Sequence, residues 1–256
     1  MKLGFIGTGQ IAKATILGIL GSNLKINKIY ISQRSEKISK QLSKKSKKIV
    51  ILKDNQEIIN NSNWIFLSIT PEVGNKILKS LKFKSSQTII NFISTIDTSQ
   101  LKKYIKVKAK IVRALPLPPI ALRKGPVPIY PANKKAKFFF NHLGTAVEVS
   151  NEKLFTNFWC MTAMMAPFYE NLFTLSDWLS KKGLNKIDAQ KYITSLFFAM
   201  AEDAVVNSSK DLRILIKNSQ TPGGLNEQAL KQLKRFGFYK LLNNTADNIH
   251  KRLNKV

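Results

Sequence analysis

The sequence predicts a doubly wound α/β domain followed by an all-helical domain. Short apolar runs rich in β-branched residues recur at intervals of roughly 15 to 25 residues through the first half, which is the rhythm of βαβ units. Segments with helical periodicity lie between these runs. No strand pattern appears after about residue 150. We therefore expect one domain over residues 1–150 and a second over residues 151–256.

The strand candidates are apolar throughout rather than alternating with polar residues. Strands of a parallel sheet have this pattern because helices cover both faces of the sheet. The last two of the eight runs are short and are expected to finish the sheet. In chain order the runs are KLGFIG, KIYIS, KIVILK, NWIFLSI, TIINFI, KIVRAL, PVPIYP and AVEVS.

Helices are predicted between these strands. NQEIINNS and PEVGNKILKSL both have helical periodicity. Pro71 suits the first turn of the latter, because the first N–H groups of a helix have no partner within it. The segment after the first strand places five small or apolar residues on one helical face: Ile11, Ala14, Thr15, Gly18 and Ile19.

The second half predicts long helices. The segment after residue 150 is expected to be helical, interrupted at Pro167 and ended by Gly183. A later helix is apolar on every side from Leu196 to Ala201, so we expect burial within its own domain or against a partner subunit. Two more helices are predicted between Leu225 and Arg252. A small helical domain with such a central helix is typical of a dimer.

The composition is that of a globular protein, since 44% of the 256 residues are hydrophobic. No apolar run approaches the ~18 residues that a membrane helix needs, and the N-terminus has no signal-peptide pattern. The single cysteine, Cys160, lies in an apolar run and is expected to be a buried, inert thiol. We expect a cytoplasmic protein without a membrane partner.

The net charge of +27 raises the question of a nucleic-acid partner. The lysines are scattered along the whole chain, and the densest clusters, residues 44–48 and 134–137, are short. The sequence has neither zinc-finger spacing nor an aromatic RNA-binding motif. The lysine pattern therefore disfavours nucleic acid and favours solvated lysine-rich faces, although a basic protein also attracts anionic cofactors and substrates.

A glycine motif follows the first strand. Gly7, Gly9 and Ala12 form G-x-G-x-x-A at the start of the first helix. Such a turn brings the backbone close to a pyrophosphate, and the helix N-terminus offers N–H groups to it. The motif predicts a Rossmann-type dinucleotide site that includes Gly7, Thr8, Gly9, Gln10 and Ile11.

The end of the second strand lacks the acidic residue that would bind a ribose 2′-hydroxyl. No Asp or Glu precedes Glu36, and the chain offers Ser32, Arg34 and Ser35 instead. An arginine with hydroxyl neighbours suits a 2′-phosphate, so NADPH is favoured over NADH. The alternative is that Arg34 is a solvated surface charge.

Two further positions at strand ends are expected to line the cofactor. Asn55 follows the third strand, and Ser68, Ile69, Thr70 and Pro71 follow the fourth. Open α/β sheets bind their ligands at the carboxyl ends of strands.

The order of these segments resembles the pyrroline-5-carboxylate reductase family. The resemblance rests on the glycine motif and on SQRS, DNQEII, IFLSITPEV, IVRALPLPP, APFYE and TPGGLNEQAL, and it covers nearly the whole chain. It implies a two-domain enzyme that reduces a cyclic imine with NAD(P)H and dimerises through its helical domain. It also implies an active site between the cofactor cleft and that domain.

The chain departs from the family pattern in the implied substrate pocket. Leu117 stands in LPLPP where the family has the asparagine of M-P-N-T-P. Leu225 and Asn226 stand where S-P-G-G-T-T has two threonines. MMAPFYE keeps the proline of G-S-G-P-A-Y, as Pro167, but lacks its glycine and serine. Cofactor use therefore carries over better than substrate identity.

The TPGG turn precedes a predicted helix that starts near Leu225. Backbone N–H groups at such a start can hold a substrate carboxylate. The alternative is an ordinary turn between helices, and the resemblance favours the binding role. The expected substrate-binding residues are Thr221, Gly223, Gly224, Leu225 and Asn226.

No catalytic residue is assigned from the sequence. Glu170 is a candidate proton donor, although a helical glutamate is ordinarily just exposed. His142 and His250 lack metal-ligand spacing, and no metal motif is present. We expect NADPH-dependent reduction of a small cyclic imino acid, 1-pyrroline-5-carboxylate to proline, by a homodimer or an oligomer of dimers. The alternatives are a divergent imine or ketone reductase and a non-catalytic dimer that binds cofactor or nucleic acid.

Overall fold

The computed structural model describes residues 1–254. Residue contacts divide the chain into two compact units, Met1–Phe155 and Thr156–Val256. The sequence placed the change near residue 150. The first unit extends further because Glu152 contacts Arg113 of the sheet, and Phe155 packs under the same guanidinium.

The first unit contains an eight-stranded sheet in the order β3-β2-β1-β4-β5-β6-β7-β8. All pairs are parallel except β6 with β7. Every strand coincides with a predicted run. The strands are β1 (Lys2–Ile6), β2 (Lys28–Ser32), β3 (Ile49–Leu52), β4 (Trp64–Leu67), β5 (Thr88–Asn91), β6 (Lys110–Ala114), β7 (Pro126–Tyr130) and β8 (Thr145–Glu148).

Helices cover both faces of this sheet. One buried apolar cluster includes Phe5, Phe66 and Phe139, and a second on the opposite face includes Ile58 and Leu101. The doubly wound fold class is thus confirmed. The helices are α1 (Gln10–Leu20), α2 (Glu36–Ser43), α3 (Asn55–Asn61), α4 (Pro71–Ile77), α5 (Thr98–Tyr104) and α6 (Lys134–Asn141), with a 3₁₀ helix at Pro118–Leu122.

The described residues after Asn151 form helices and the turns between them, as predicted. Pro167 lies in the first turn of α8, where its missing N–H costs nothing. The helical break therefore lies before Pro167, and the expected interruption at this proline was wrong. The helices are α7 (Phe155–Thr162), α8 (Met165–Lys181), α9 (Lys186–Val206), α10 (Arg213–Asn218), α11 (Leu225–Arg235) and α12 (Phe238–Leu253), preceded by a 3₁₀ turn at Glu152–Leu154.

The apolar centre of α9 is exposed in the single chain. Phe198 is 60% and Met200 50% exposed, while the buried residues of this helix are Ala189 and Ile193. Burial within its own domain was therefore wrong, and burial against a partner subunit is the remaining expectation. No helix within residues 1–254 is long and apolar enough to cross a membrane.

Candidate functional site

The strand order creates a crevice at the carboxyl ends of β1 and β4. These strands are neighbours, but α1 and α4 leave them toward opposite faces of the sheet. The two loops begin side by side, since the Ser68 N–H donates to the Ile6 carbonyl at 2.9 Å. An open α/β sheet binds ligands at this switch point.

Gly7 allows the two loops to approach. Its φ is +90°, and a Cβ here would lie 2.5 Å from the Ser68 carbonyl oxygen and 2.5 Å from Ile69 Cγ2. A left-handed backbone and a neighbouring main chain both require glycine. The turn predicted at Gly7 is therefore present for a steric reason visible in the fold.

Gly9 faces open space. It is the N-cap of α1 and supplies no side-chain cap, and a Cβ here would meet no atom within 4 Å. The first N–H groups of any helix lack partners within it. The N-terminus of α1, with Gln10 and Ile11, is thus open to an anion.

Thr8 and Ser32 join the first turn to the second strand. The Ser32 hydroxyl accepts from the Gly7 N–H at 3.2 Å and lies 2.9 Å from Thr8 Oγ1, which also donates to the Ser32 carbonyl at 2.7 Å. Both side chains are buried. The Ser32 hydroxyl, expected beside a 2′-phosphate, thus also positions the glycine turn.

Arg34 stands exposed in the loop between β2 and α2. The part of the chain that the structure describes gives it no ion-pair partner. The nearest acid in sequence, Glu36, pairs with Lys40 at 2.6 Å, and the hydrogen bond from Lys40 lowers the pKa of Glu36. Ser35 precedes α2 without a side-chain cap. Arg34 and Ser35 are therefore available to an anionic group.

The loops after β3 and β4 hold the other expected cofactor residues. Asn55 is the first residue of α3 and is half-buried. Ile69 continues the loop, Thr70 is the N-cap of α4, and Pro71 is its first residue. Ser68 Oγ is buried and has no hydrogen-bond partner within residues 1–254. An unsatisfied buried hydroxyl beside the crevice is the kind of group that a bound ligand satisfies.

The LPLPP segment is fixed against α1. The Leu115 N–H donates to the Pro128 carbonyl at 3.1 Å, and Leu117 is the N-cap of the following 3₁₀ helix. Gly18 packs so tightly on the Ile120 carbonyl that no Cβ fits between them. Leu117 thus occupies a defined position after β6.

A buried ion pair between Arg113 of β6 and Glu152 was missed by the sequence analysis. Arg113 Nη1 lies 2.9 Å from Glu152 Oε1, and the two side chains are 7% and 18% exposed. Nη2 donates to the Ser94 carbonyl, and Glu152 Oε1 accepts from Thr98 N at 2.9 Å. Burial lowers the pKa of Arg113, while Glu152 opposes this shift. The signal in the sequence was a charged residue inside the apolar run IVRAL.

The predicted substrate loop forms a tight turn before α11. Gly223 has φ +71° and Gly224 is the N-cap. The Gly224 N–H donates to the Thr221 carbonyl at 2.8 Å, and the Gly223 N–H donates to the Glu227 carboxylate at 2.8 Å. These two N–H groups, expected to hold a carboxylate, thus have partners within the turn.

The rest of the loop remains open. Leu225 is 83% exposed and Thr221 is exposed. The Asn226 side chain donates to the Ser219 carbonyl at 2.8 Å. Leu225 and Asn226 are the first two residues of α11, whose initial N–H groups have no partner within the helix. Of the expected backbone donors, the N–H groups of Leu225 and Asn226 are therefore the ones open to an anion.

The other residues singled out in the sequence are Glu170, Cys160, His142 and His250. Glu170 is exposed and lines an apolar cavity of about 680 Å³ in the helical unit, with Phe168 and Phe238 among its walls. Cys160 is buried. His142 and His250 are half-buried, and residues 1–254 contain no group of three or more side chains suited to a metal ion.

Two family models match the chain. Residues 2–95 match NADP oxidoreductase, coenzyme F420-dependent, and residues 154–256 match pyrroline-5-carboxylate reductase dimerisation. Pyrroline-5-carboxylate reductase 2 of Bacillus subtilis is 25% identical, covering 98% of this chain and 93% of the relative. A pyrroline-5-carboxylate reductase of Synechocystis is 26% identical, covering 93% and 91%.

Solved structures share the fold. The 1-pyrroline-5-carboxylate reductase of Streptococcus pyogenes superposes with a TM-score of 0.82 at 22% identity, covering 100% of this chain and 99% of that chain. The Plasmodium falciparum pyrroline carboxylate reductase with NADP bound gives 0.81 at 22%, covering 98% and 96%. An imine reductase from Pseudomonas sp. gives 0.56 at 15%, covering 96% and 90%. The second half of the chain thus matches the dimerisation model of pyrroline-5-carboxylate reductases, and over nearly its full length the chain is similar in sequence and in fold to proteins of that name.

Proposed function

We propose that this protein reduces 1-pyrroline-5-carboxylate to proline with NADPH. The observation that carries the proposal is the crevice at the ends of β1 and β4, where an uncapped helix start, an unpaired Arg34 and an unsatisfied Ser68 hydroxyl lie along one sheet edge. The full-length relatives bearing the reductase name support the reaction. NADPH supplies the hydride for the imine carbon.

The residues of the first unit fit this cofactor. The backbone at Gly9, Gln10 and Ile11 would hold the pyrophosphate, because the open helix start carries partial positive charge. Arg34 and Ser35 would hold the 2′-phosphate. The other cofactor-lining residues are Asn55, Ser68, Ile69, Thr70 and Pro71, with Gly7, Thr8 and Ser32 shaping the turn.

The residues of the second unit would hold the substrate carboxylate. The N–H groups of Leu225 and Asn226 and the Thr221 hydroxyl are the candidate donors, and Gly223 and Gly224 shape the turn. The Glu227 carboxylate accepts from the Gly223 N–H and pairs with Lys231 at 2.7 Å, so its charge is compensated within the helix. We assign no proton donor among these residues.

A divergent imine reductase is the second candidate function. It is favoured by the apolar Leu117 and Leu225, which stand where related sequences carry polar residues. The proposal predicts rapid NADPH oxidation with 1-pyrroline-5-carboxylate and proline as product. Faster turnover of another cyclic imine, with none of the five-membered substrate, would replace the first candidate by the second.

We also propose a homodimer, or an oligomer of dimers, built on the helical unit. Its exposed apolar side chains include Phe198, Met200 and Trp178. Burying such a surface is the main favourable contribution to association. Size-exclusion chromatography with light scattering should give an even number of subunits.

The 2′-phosphate assignment makes a prediction about Arg34. We expect Arg34→Ala to raise KM for NADPH about tenfold and to leave KM for NADH nearly unchanged, because a charge-assisted hydrogen bond is lost only with the phosphorylated cofactor. Steady-state kinetics with both cofactors measures this. Lys37→Ala, which removes an exposed charge three positions on, is the matched control. Equal effects of Arg34→Ala on the two cofactors would contradict the assignment.

The TPGG turn makes a prediction about substrate. A Cβ at Gly224 would lie 2.9 Å from the Thr221 carbonyl oxygen and 3.2 Å from Thr221 Cβ, so Gly224→Leu must deform the turn. We expect KM for 1-pyrroline-5-carboxylate to rise about tenfold while the NADPH dissociation constant is unchanged. Fluorescence titration of NADPH provides the second measurement. A parallel loss of cofactor affinity would show that the turn has a structural role instead.

A further inference from the structure

The amino-terminal edge of the sheet carries lysines at almost every parallel strand. We define the lysine edge as Lys2, Lys28, Lys47, Lys48, Lys84 and Lys110. Lys2, Lys28 and Lys110 are the first residues of β1, β2 and β6, and Lys47 and Lys48 precede β3. Lys84 opens the turn into β5 and donates its backbone N–H to Gln87 Oε1 at 2.8 Å.

Backbone hydrogen bonds make this edge continuous. Ile29 N donates to the Lys48 carbonyl, Asn63 N to the Lys2 carbonyl, Thr88 N to the Asn63 carbonyl, and Lys110 N to the Gln87 carbonyl. The edge therefore runs through all six parallel strands. At 4.7–4.9 Å between neighbouring strands, it is about 24 Å long.

No carboxylate neutralises these lysines within residues 1–254. All six are exposed, and none forms an ion pair.

The acidic residues of the first unit lie toward the other edge. Five of its seven carboxylates cap or begin helices that start at the carboxyl ends of strands. Glu148 of β8 pairs in register with Ile129 of β7, which in turn pairs with Ala114 at the end of β6. Glu152 contacts Arg113. Helix dipoles account for these acids. Helix dipoles do not account for the lysines of the edge, because these residues begin or precede strands.

We propose that the lysine edge binds the sugar–phosphate backbone of a nucleic acid without sequence preference. A line of point charges matches a line of phosphates, whereas an anionic bilayer presents its charge over an area. The edge contains no arginine to read base edges through bidentate bonds, so binding is independent of sequence. The surface lies opposite the cofactor crevice and leaves it free.

Lys134 and Lys135 extend the surface beside β4. They line a cavity with Met1, Asn63 and Trp64, next to the position where the edge lacks its own lysine. The sequence disfavoured nucleic acid because its lysines are scattered. Folding brings residues that are more than a hundred positions apart into one row.

The test compares two fourfold variants of the full-length protein. The edge variant is Lys28→Gln, Lys48→Gln, Lys84→Gln and Lys110→Gln. The control variant removes the same charge from exposed lysines of the helical unit: Lys186→Gln, Lys210→Gln, Lys240→Gln and Lys251→Gln. Fluorescence anisotropy with a labelled mixed-sequence duplex DNA and a labelled single-stranded RNA, over a series of salt concentrations, gives affinity and salt slope.

We expect the edge variant to lose at least about tenfold in affinity and to reduce the duplex salt slope by about 3.6, since each of the four lost phosphate contacts contributes about 0.9. The control variant should change both quantities much less. NADPH oxidation should be the same in the edge variant as in the native protein, and the four Lys→Arg changes at the edge should retain binding. Equal losses in both variants, no binding of either probe at physiological salt, or edge-dependent binding to phosphatidylserine vesicles alone would overturn the proposal.

Discussion

Gly9→Ala is expected to raise the NADPH dissociation constant about 100-fold with little loss of folding stability. A Cβ at Gly9 would meet no protein atom within 4 Å, so the fold accommodates it. The same methyl group would occupy the space in which a pyrophosphate lies against the backbone of Gly9. Overlap of that kind costs about 1–3 kcal/mol, and 1.4 kcal/mol is tenfold in affinity. Fluorescence titration and thermal unfolding without cofactor measure the two quantities.

Gly7→Ala is the informative comparison. At Gly7 a Cβ would lie 2.5 Å from the Ser68 carbonyl oxygen, and φ is +90°. We expect this variant to lose both cofactor affinity and stability, because the left-handed conformation and the close contact each cost about 1–2 kcal/mol. If Gly9→Ala were as unstable as Gly7→Ala, or bound NADPH normally, the assignment of Gly9 to the pyrophosphate would fail.

Glu152→Ala is expected to destabilise the protein by about 3 kcal/mol. The variant removes the carboxylate 2.9 Å from a guanidinium that is only 7% exposed. A buried charge that loses its partner cannot recover its hydration, which makes such changes costly. The Thr98 N–H and hydroxyl would lose the same acceptor. Urea unfolding of the native and variant proteins without NADPH gives the difference.

Glu148→Ala is the matched control, four residues away. Its carboxylate pairs with Lys137 at 2.6 Å, but the two side chains are 31% and 48% exposed. Exposed ion pairs contribute at most about 1 kcal/mol, so we expect a small change. If both variants lost a similar free energy of unfolding, the ion pair with Arg113 would not explain the destabilisation by Glu152→Ala.

The ion pair between Arg113 and Glu152 could not be predicted from the sequence. IVRAL was correctly predicted as a strand, because its apolar residues dominate. The partner of its arginine lies thirty-nine positions away at Glu152, and a separation of that size leaves no periodic signal. The same pair explains why the first unit extends past residue 150 to Phe155.

The predictions based on local pattern agree with the structure. The apolar runs predicted all eight strands, because the strands of a parallel sheet are covered by helices on both faces and are therefore apolar throughout. The glycine turn was found because its backbone geometry demands particular residues at fixed spacing. The contact of Ser32 with the turn could not be predicted, because a hydroxyl at a strand end can bind a ligand or its own neighbouring turn, and only the distances to Gly7 and Thr8 reveal the turn contact.

By itself the sequence determined the fold class, the glycine turn and the absence of an acid before Glu36, since each depends on residues close together in the chain. The tertiary structure alone decided which dispersed groups meet. It brought the Ser68 carbonyl against Gly7 and the Glu152 carboxylate into an ion pair with Arg113. It also brought the Glu227 carboxylate within hydrogen-bonding distance of the Gly223 N–H. It also aligned scattered lysines along one edge. Burial and strand register bring these groups together, and neither is encoded in local spacing.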